Sequence, residues 1–166
     1  MTKKTKLIIA ALAALLVVVL IAVNRNMTKK DDERAQKQQL TVLRGTKETI
    51  YEYDETIPEY QTFETQMKRK NGDKFDKEYS GIELRLLLAD MDIPVNNDTE
   101  VTVICSDQYE IVLTGEEILT EGNIYLVTRE SGEPLDEESG PFMLVVNNDQ
   151  FSTRWAKNVV KVKISE

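Results

Sequence analysis

Histidine is missing from all 166 residues. That absence removes Ser-His-Asp and Cys-His nucleophile systems, a proximal haem histidine and histidine-based zinc sites from this chain. Cysteine is nearly absent too, Cys105 being the only one. A single thiol forms no intrachain disulfide, and a thiolate zinc site would need other chains. No glycine-rich phosphate loop, no HExxH pair and no repeat of solenoid period occurs. Positive charge is scarce, with 21 Lys and Arg against 29 Asp and Glu, a net of −8. Four of those bases (Lys3, Lys4, Lys6 and Arg25) precede Met27 with no acid among them, so the remainder sets 17 bases against 29 acids, a net of −12. A surface that negative repels phosphate backbones, so nucleic acid is not an expected partner.

What is present suits one folded domain. Hydrophobic residues make up 41% and charged residues 30%, outside the range of disordered chains. Residues 7–23 are 17 consecutive apolar residues without a charge. As a helix they would span roughly 26 Å, close to a bilayer core of about 30 Å. A cleaved signal peptide usually has a shorter apolar core. The only A-x-A, Ala11-Leu12-Ala13, lies inside the run, so an uncleaved anchor is expected. Counting the bases that follow it (Arg25, Lys29, Lys30, Arg34, Lys37) would hold the domain in the cytoplasm. A short basic head before an apolar stretch is instead how export signals begin, and an extracytoplasmic domain on a single-pass cell-membrane anchor is the expectation. The chain then divides into a basic head over 1–6, the anchor (or signal peptide) over 7–23, a polar linker or stalk over 24–39 and a domain over 40–166.

Within the domain, 40–43 and 49–53 bracket Arg44-Gly45-Thr46 as a hairpin. The acidic stretch 54–60, broken by Pro58, reads as a short helical turn. Asn71-Gly72-Asp73 sits between 62–70 and 74–79, and Asn-Gly is a strong hairpin signal. Ser80-Gly81-Ile82-Glu83 fits a capping box ahead of Leu84, Leu87, Leu88 and Met91, one apolar helix face ended by Pro94. Strands are expected over 101–105 and 109–113. A second capping box, Thr114-Gly115-Glu116-Glu117, opens a short helix to Leu119. A further strand over 123–128 turns at Ser131-Gly132. Seven or eight strands with two or three short helices argue α+β rather than a doubly wound α/β fold.

The last 27 residues carry the most specific pattern. Gly140-Pro141 opens the apolar run 142–146, and a polar loop over 147–153 follows. Arg154-Trp155-Ala156-Lys157 then leads into Val160, Val162 and Ile164 alternating with Lys161 and Lys163, the pattern of a half-buried strand. Four further pieces precede this block in order: Tyr79-Ser80-Gly81-Ile82-Glu83-Leu84 with Leu87-Leu88, Val101-Thr102-Val103, Ser106-Asp107-Gln108-Tyr109, and Gly132-Glu133-Pro134-Leu135. Together they resemble the molybdopterin-binding domain of the sulfite oxidase family, in its small stand-alone bacterial, membrane-anchored form. The likeness runs from about residue 79 to 164, and residues 40–78 fit loosely.

The resemblance implies a mixed, strand-rich α+β fold with a cleft for a pterin cofactor. Catalytic members of the family ligate molybdenum through a cysteine upstream of the Gly-Val-Leu helix. The matching region here, 62–70, has none, and Cys105 lies on a later strand. The family's pterin contacts also use histidine and several arginines. Gln108 stands in place of the family's glycine, and Asn147 in place of its proline. The expectation is therefore a non-catalytic, ligand- or protein-binding domain, with no catalytic residue, no metal and no resident cofactor. Molybdopterin enters by resemblance only. The alternatives are a molybdopterin-dependent oxidoreductase or its accessory subunit, and a structural module of an envelope complex.

Four residues are candidates for binding. Arg154 and Trp155 offer a guanidinium and a ring to a phosphate-bearing ligand; the competing reading is a core-packed Trp beside a solvent-facing Arg. Asp107 and Tyr109 line the same implied cleft, or are simply turn and strand residues. Arg129 reads as a surface ion pair, Cys105 as a buried inert thiol on the face of Val101 and Val103, and Asp136-Glu137-Glu138 as a solvated loop. Asn97-Asp98-Thr99 matches a glycosylation sequon of a kind common by chance.

Overall fold

The computed structural model describes residues 15–17 and 39–165. Leu15, Leu16 and Val17 are helical; the rest of the expected head, anchor and linker, up to residue 38, lies outside the described residues. Among the described residues no helix is long and apolar enough to cross a membrane.

Ten strands and three short helices make the domain. β1 (Gln39–Arg44) and β2 (Lys47–Glu52) form the expected hairpin, with Gly45 at φ +58° in its turn. The stretch after β2 holds turns and no helix: Asp54 Oδ1 accepts from both the N–H and the hydroxyl of Thr56, at 2.8 and 2.6 Å. That local side-chain bonding competes with a helical turn. β3 (Tyr60–Lys68) and β4 (Lys74–Glu83) pair along their whole length around Asn71-Gly72. β5 (Glu100–Cys105) and β6 (Glu110–Thr114) form a second hairpin. β7 (Ile124–Glu130), β8 (Glu133–Pro134), β9 (Met143–Val146) and β10 (Val159–Ser165) complete the set. The helices are α1 (Leu84–Asp90), α2 (Gly115–Leu119) and a 3-10 turn, Ser152–Arg154.

One sheet runs β2-β1-β10-β5-β6, with β1 and β10 parallel and the other pairs antiparallel. The second runs β3-β4-β7, and β8 and β9 share the far edge of β7. The main core lies between the sheets. Leu40, Val42, Val101, Val103, Val162 and Ile164 meet Ile82, Leu126 and Leu144, and α1 adds Leu84, Leu87 and Leu88, each fully buried. Burying each such leucine is worth about 1.5–3 kcal/mol. Period-two alternation in the second sheet sends Tyr79, Tyr125, Val127, Met143 and Val145 to its other face, a smaller cluster closed by Phe63, Leu135 and Trp155. Ala156 bonds Leu144 in both directions (2.7 and 3.0 Å), which ties the second sheet to the lead-in of β10.

The two capping boxes part ways. Thr114 and Glu117 form theirs reciprocally and start α2. Ser80-Gly81-Ile82-Glu83 does not: these residues remain in β4, paired with β7, and α1 begins at Leu84 with no side-chain cap. The ladder to β7 takes the backbone groups that a cap would satisfy, and the Glu83 carboxylate is occupied by Arg85 and the Gly122 N–H. α1 also ends before Pro94. Asp92 adopts φ +54°, Ile93 N–H bonds Leu88 O and Asp92 N–H bonds Ala89 O, a Schellman ending with Asp where Gly is usual.

Candidate functional site

The connection between β5 and β6 is a tight turn. Cys105 N–H bonds Tyr109 O (2.9 Å), Gln108 N–H bonds Cys105 O (3.0 Å), and Asp107 Oδ1 accepts from Tyr109 N–H (2.9 Å). Gln108 sits at φ +70°. A side chain there costs on the order of 1 kcal/mol that glycine would not. Gln108 thus holds a left-handed position, at that cost, where the family resemblance has a glycine.

The lead-in to β10 packs against that turn through Asn158. Its backbone is left-handed (φ +54°). Its carbonyl accepts from Ser106 N–H (2.9 Å) and its N–H bonds Ser139 O (2.7 Å). Its side-chain amide donates to Glu138 O (2.6 Å). Gly140 (φ +75°) makes this possible, since a Cβ on it would lie 2.1 Å from Asn158 Oδ1. One residue therefore knits three segments together. The sequence reading missed it; the signal available was an Asn, a residue that tolerates the left-handed region, just before the last strand.

These three segments enclose a cleft of about 360 Å³. Asp107, Tyr109 and Trp155 line it together with Cys105, Glu138 and Lys157. Tyr109 is half exposed. Trp155 donates its Nε1–H to Val146 O (2.9 Å) and meets Tyr79 edge to face at 5.9 Å. Cys105 is 2% exposed, and burial together with the Asp107 carboxylate pushes its thiol up to about 11. Lys157 pairs with Glu138 at 3.1 Å.

Arg154 lies outside this lining. Its Nε donates to Asp149 Oδ2 (2.8 Å), and its Nη2 donates to Asp149 Oδ1 and to Glu117 Oε1 (2.6 Å). The carboxylates hold the guanidinium above its ordinary pKa. The polar loop is thereby clamped to α2. Arg129 is paired with Glu55 (2.8 Å) and Arg85 with Glu83 (2.6 Å), while Arg69 lies over the Phe75 ring at 4.8 Å. Asp136 Oδ1 accepts from Ser139 N–H, and no three His, Cys, Asp or Glu side chains converge as a metal cluster among the described residues.

Larger hollows lie elsewhere among the described residues, such as one of about 570 Å³ beside Ile93, Val95 and Leu119 and one of about 680 Å³ over Gln66, Asp76 and Glu78. Neither holds a sequence-predicted candidate residue. The cleft at Asp107 is smaller but unites three of the four.

Residues 36–166 match the family described as oxidoreductase molybdopterin binding domain. This chain belongs to that family. Its fold is similar to the sulfane dehydrogenase SoxCD from Paracoccus pantotrophus, with TM-score 0.63 and 19% sequence identity over 78% of this chain and 38% of that one. At that identity the likeness concerns the fold, and this chain spans well under half the length of that protein. No curated protein matches the chain.

The residues at the cleft do not fit the family's cofactor. A metal-ligating thiolate needs access, and Cys105, 2% exposed on β5, has none. The phosphate of a pterin cofactor calls for unneutralised cations. The cleft's one cation, Lys157, is paired, and the guanidinium nearest in sequence to it, on Arg154, is taken up by two carboxylates.

Proposed function

We propose that this family member is a membrane-tethered, extracytoplasmic and non-catalytic domain that uses the molybdopterin-binding fold to bind a ligand or a protein partner. The observation that carries this is the state of Cys105. The chain's only thiol is buried on β5, away from the 62–70 region to which the family resemblance assigns the metal-ligating cysteine. The tether rests on the 17-residue apolar run at 7–23. The decisive measurement is metal content and the visible spectrum of the full-length chain purified from its native membrane. A colourless, molybdenum-free protein supports the reading. Stoichiometric molybdenum together with reduction of an electron acceptor by an oxyanion substrate refutes it, and would establish the second reading, a pterin-dependent oxidoreductase. That second reading is favoured by family membership and by the open cleft beside Tyr109.

A further inference from the structure

The cleft lining carries a net negative charge, from Asp107 and Glu138 against Lys157. Glu138 and Lys157 neutralise each other at 3.1 Å. The Asp107 carboxylate accepts the Tyr109 N–H and has no cationic partner among the described residues. The Cys105 thiol, raised to about 11, adds no charge at neutral pH. Two aromatic residues share the lining with Asp107: Tyr109, half exposed, and Trp155, whose one polar side-chain atom is bonded to Val146 O.

From this lining we infer that the cleft binds a compact organic cation, an alkylammonium or guanidinium group, against Asp107 with Tyr109 and Trp155 as its walls. The inference rests on the non-catalytic reading above and specifies its ligand. An aromatic side chain attracts a cation through its ring quadrupole, and the exposed Asp107 carboxylate adds a solvent-screened attraction of its own. An anion would meet Asp107 with no free positive charge to offset it. A hard metal ion needs six or so oxygen ligands, and one unpaired carboxylate supplies too few. The net charge of −8 draws cations toward the surface. A cleft of about 360 Å³ is at the small end for ligand sites, which suits a single side-chain-sized group.

Trp155 is the only tryptophan, so its emission reports on the cleft directly. The test uses the full-length chain titrated with methylguanidinium, as a free small molecule, and with a capped arginine tripeptide, as a side chain presented by a protein. Sodium chloride at matched ionic strength and inorganic phosphate serve as comparators. Saturable quenching by methylguanidinium, absent with sodium and phosphate, is expected. Tighter binding of the tripeptide points to a protein source for the cation, and equal binding to a free amine or guanidine; either upholds the cation site. Asp107→Asn keeps the turn's acceptor oxygen while removing the charge, and should weaken binding about five-fold. Tyr109→Leu should weaken it to a similar degree. Unchanged affinity in Asp107→Asn, no saturable response to either cation, or saturable binding of phosphate alone would overturn the inference. Molybdenum content of the same sample separates the two claims. A metal-free chain that binds no cation overturns the cation site alone. A molybdenum-loaded chain overturns the proposed function and the cation site with it.

Discussion

Replacing Arg154 with methionine removes the charge but keeps most of the aliphatic length, so the loss reads the ion pairs rather than packing. Arg154 holds Glu117 at 2.6 Å and Asp149 through two bonds. The side chains are 31%, 29% and 17% exposed, between surface and interior. Exposed pairs are worth about 0.2–1 kcal/mol, and breaking buried ones costs about 3–5 kcal/mol. Two pairs at intermediate burial place the loss near 2 kcal/mol. With a urea slope of about 1.5 kcal/mol/M for a domain of this size, the midpoint should fall by about 1.3 M. The assay is urea unfolding of the full-length chain followed by Trp155 emission.

The pH dependence sharpens this test. Burial raises the Glu117 carboxyl, but hydrogen bonds from Arg154 and Thr114 outweigh it and leave the pKa below its ordinary value. A depressed folded pKa gives stability that is present above the unfolded value, about 4.3, and is lost as pH falls through the folded value. The gap between wild type and variant should therefore be widest near pH 7 and close as pH drops below about 4. A midpoint shift under about 0.3 M at pH 7, or a gap that stays constant down to pH 3.5, would refute the clamp.

Two further outcomes follow from buried positions. Gly81→Ala should cost about 3 kcal/mol in the same urea assay, because the new Cβ would lie 2.3 Å from Leu126 O and 2.6 Å from Val127 Cα, both backbone atoms of β7; a variant as stable as wild type would show that this crossing is looser than described. Cys105 should resist alkylation by iodoacetamide in the folded chain at pH 8 and react at once in urea. Its raised pKa also means that the stability it contributes is full below the unfolded thiol value, about 8.5, and declines as pH climbs toward about 11. Fast labelling of the folded protein at pH 8 would contradict both statements.

Local pattern was a reliable guide wherever a residue's partners lie close in the chain. Val160, Val162 and Ile164 alternate with Lys161 and Lys163 because one face of β10 must be dry, and burial follows that alternation. Asn71-Gly72 makes its hairpin because the turn geometry selects those residues. Thr114 and Glu117 cap α2 because both bonds close within four residues. The same motif at Ser80-Gly81-Ile82-Glu83 carried an equal local signal and lost to a strand some 45 residues further on. Gly81 shows why: only a residue without a side chain lets β4 cross β7 at that distance, so the glycine was a contact signal and not a helix-start signal.

The site obeys the same division. Asp107 and Tyr109 are two residues apart and share a turn, and Trp155 joins them in the cleft lining because the lead-in to β10 is bonded to that turn through Asn158. Arg154 is chemically suited to phosphate by type, yet its charge is set by Glu117, 37 residues away. Residue type thus states what a side chain can bind, while the fold decides what charge remains to bind with. Here the fold pairs the guanidinium groups of Arg85, Arg129 and Arg154 with carboxylates and leaves Asp107 without a cationic partner among the described residues. On the cation-site proposal, a member of a molybdopterin-binding-domain family takes the opposite charge at this cleft, and the reason is pairing rather than composition.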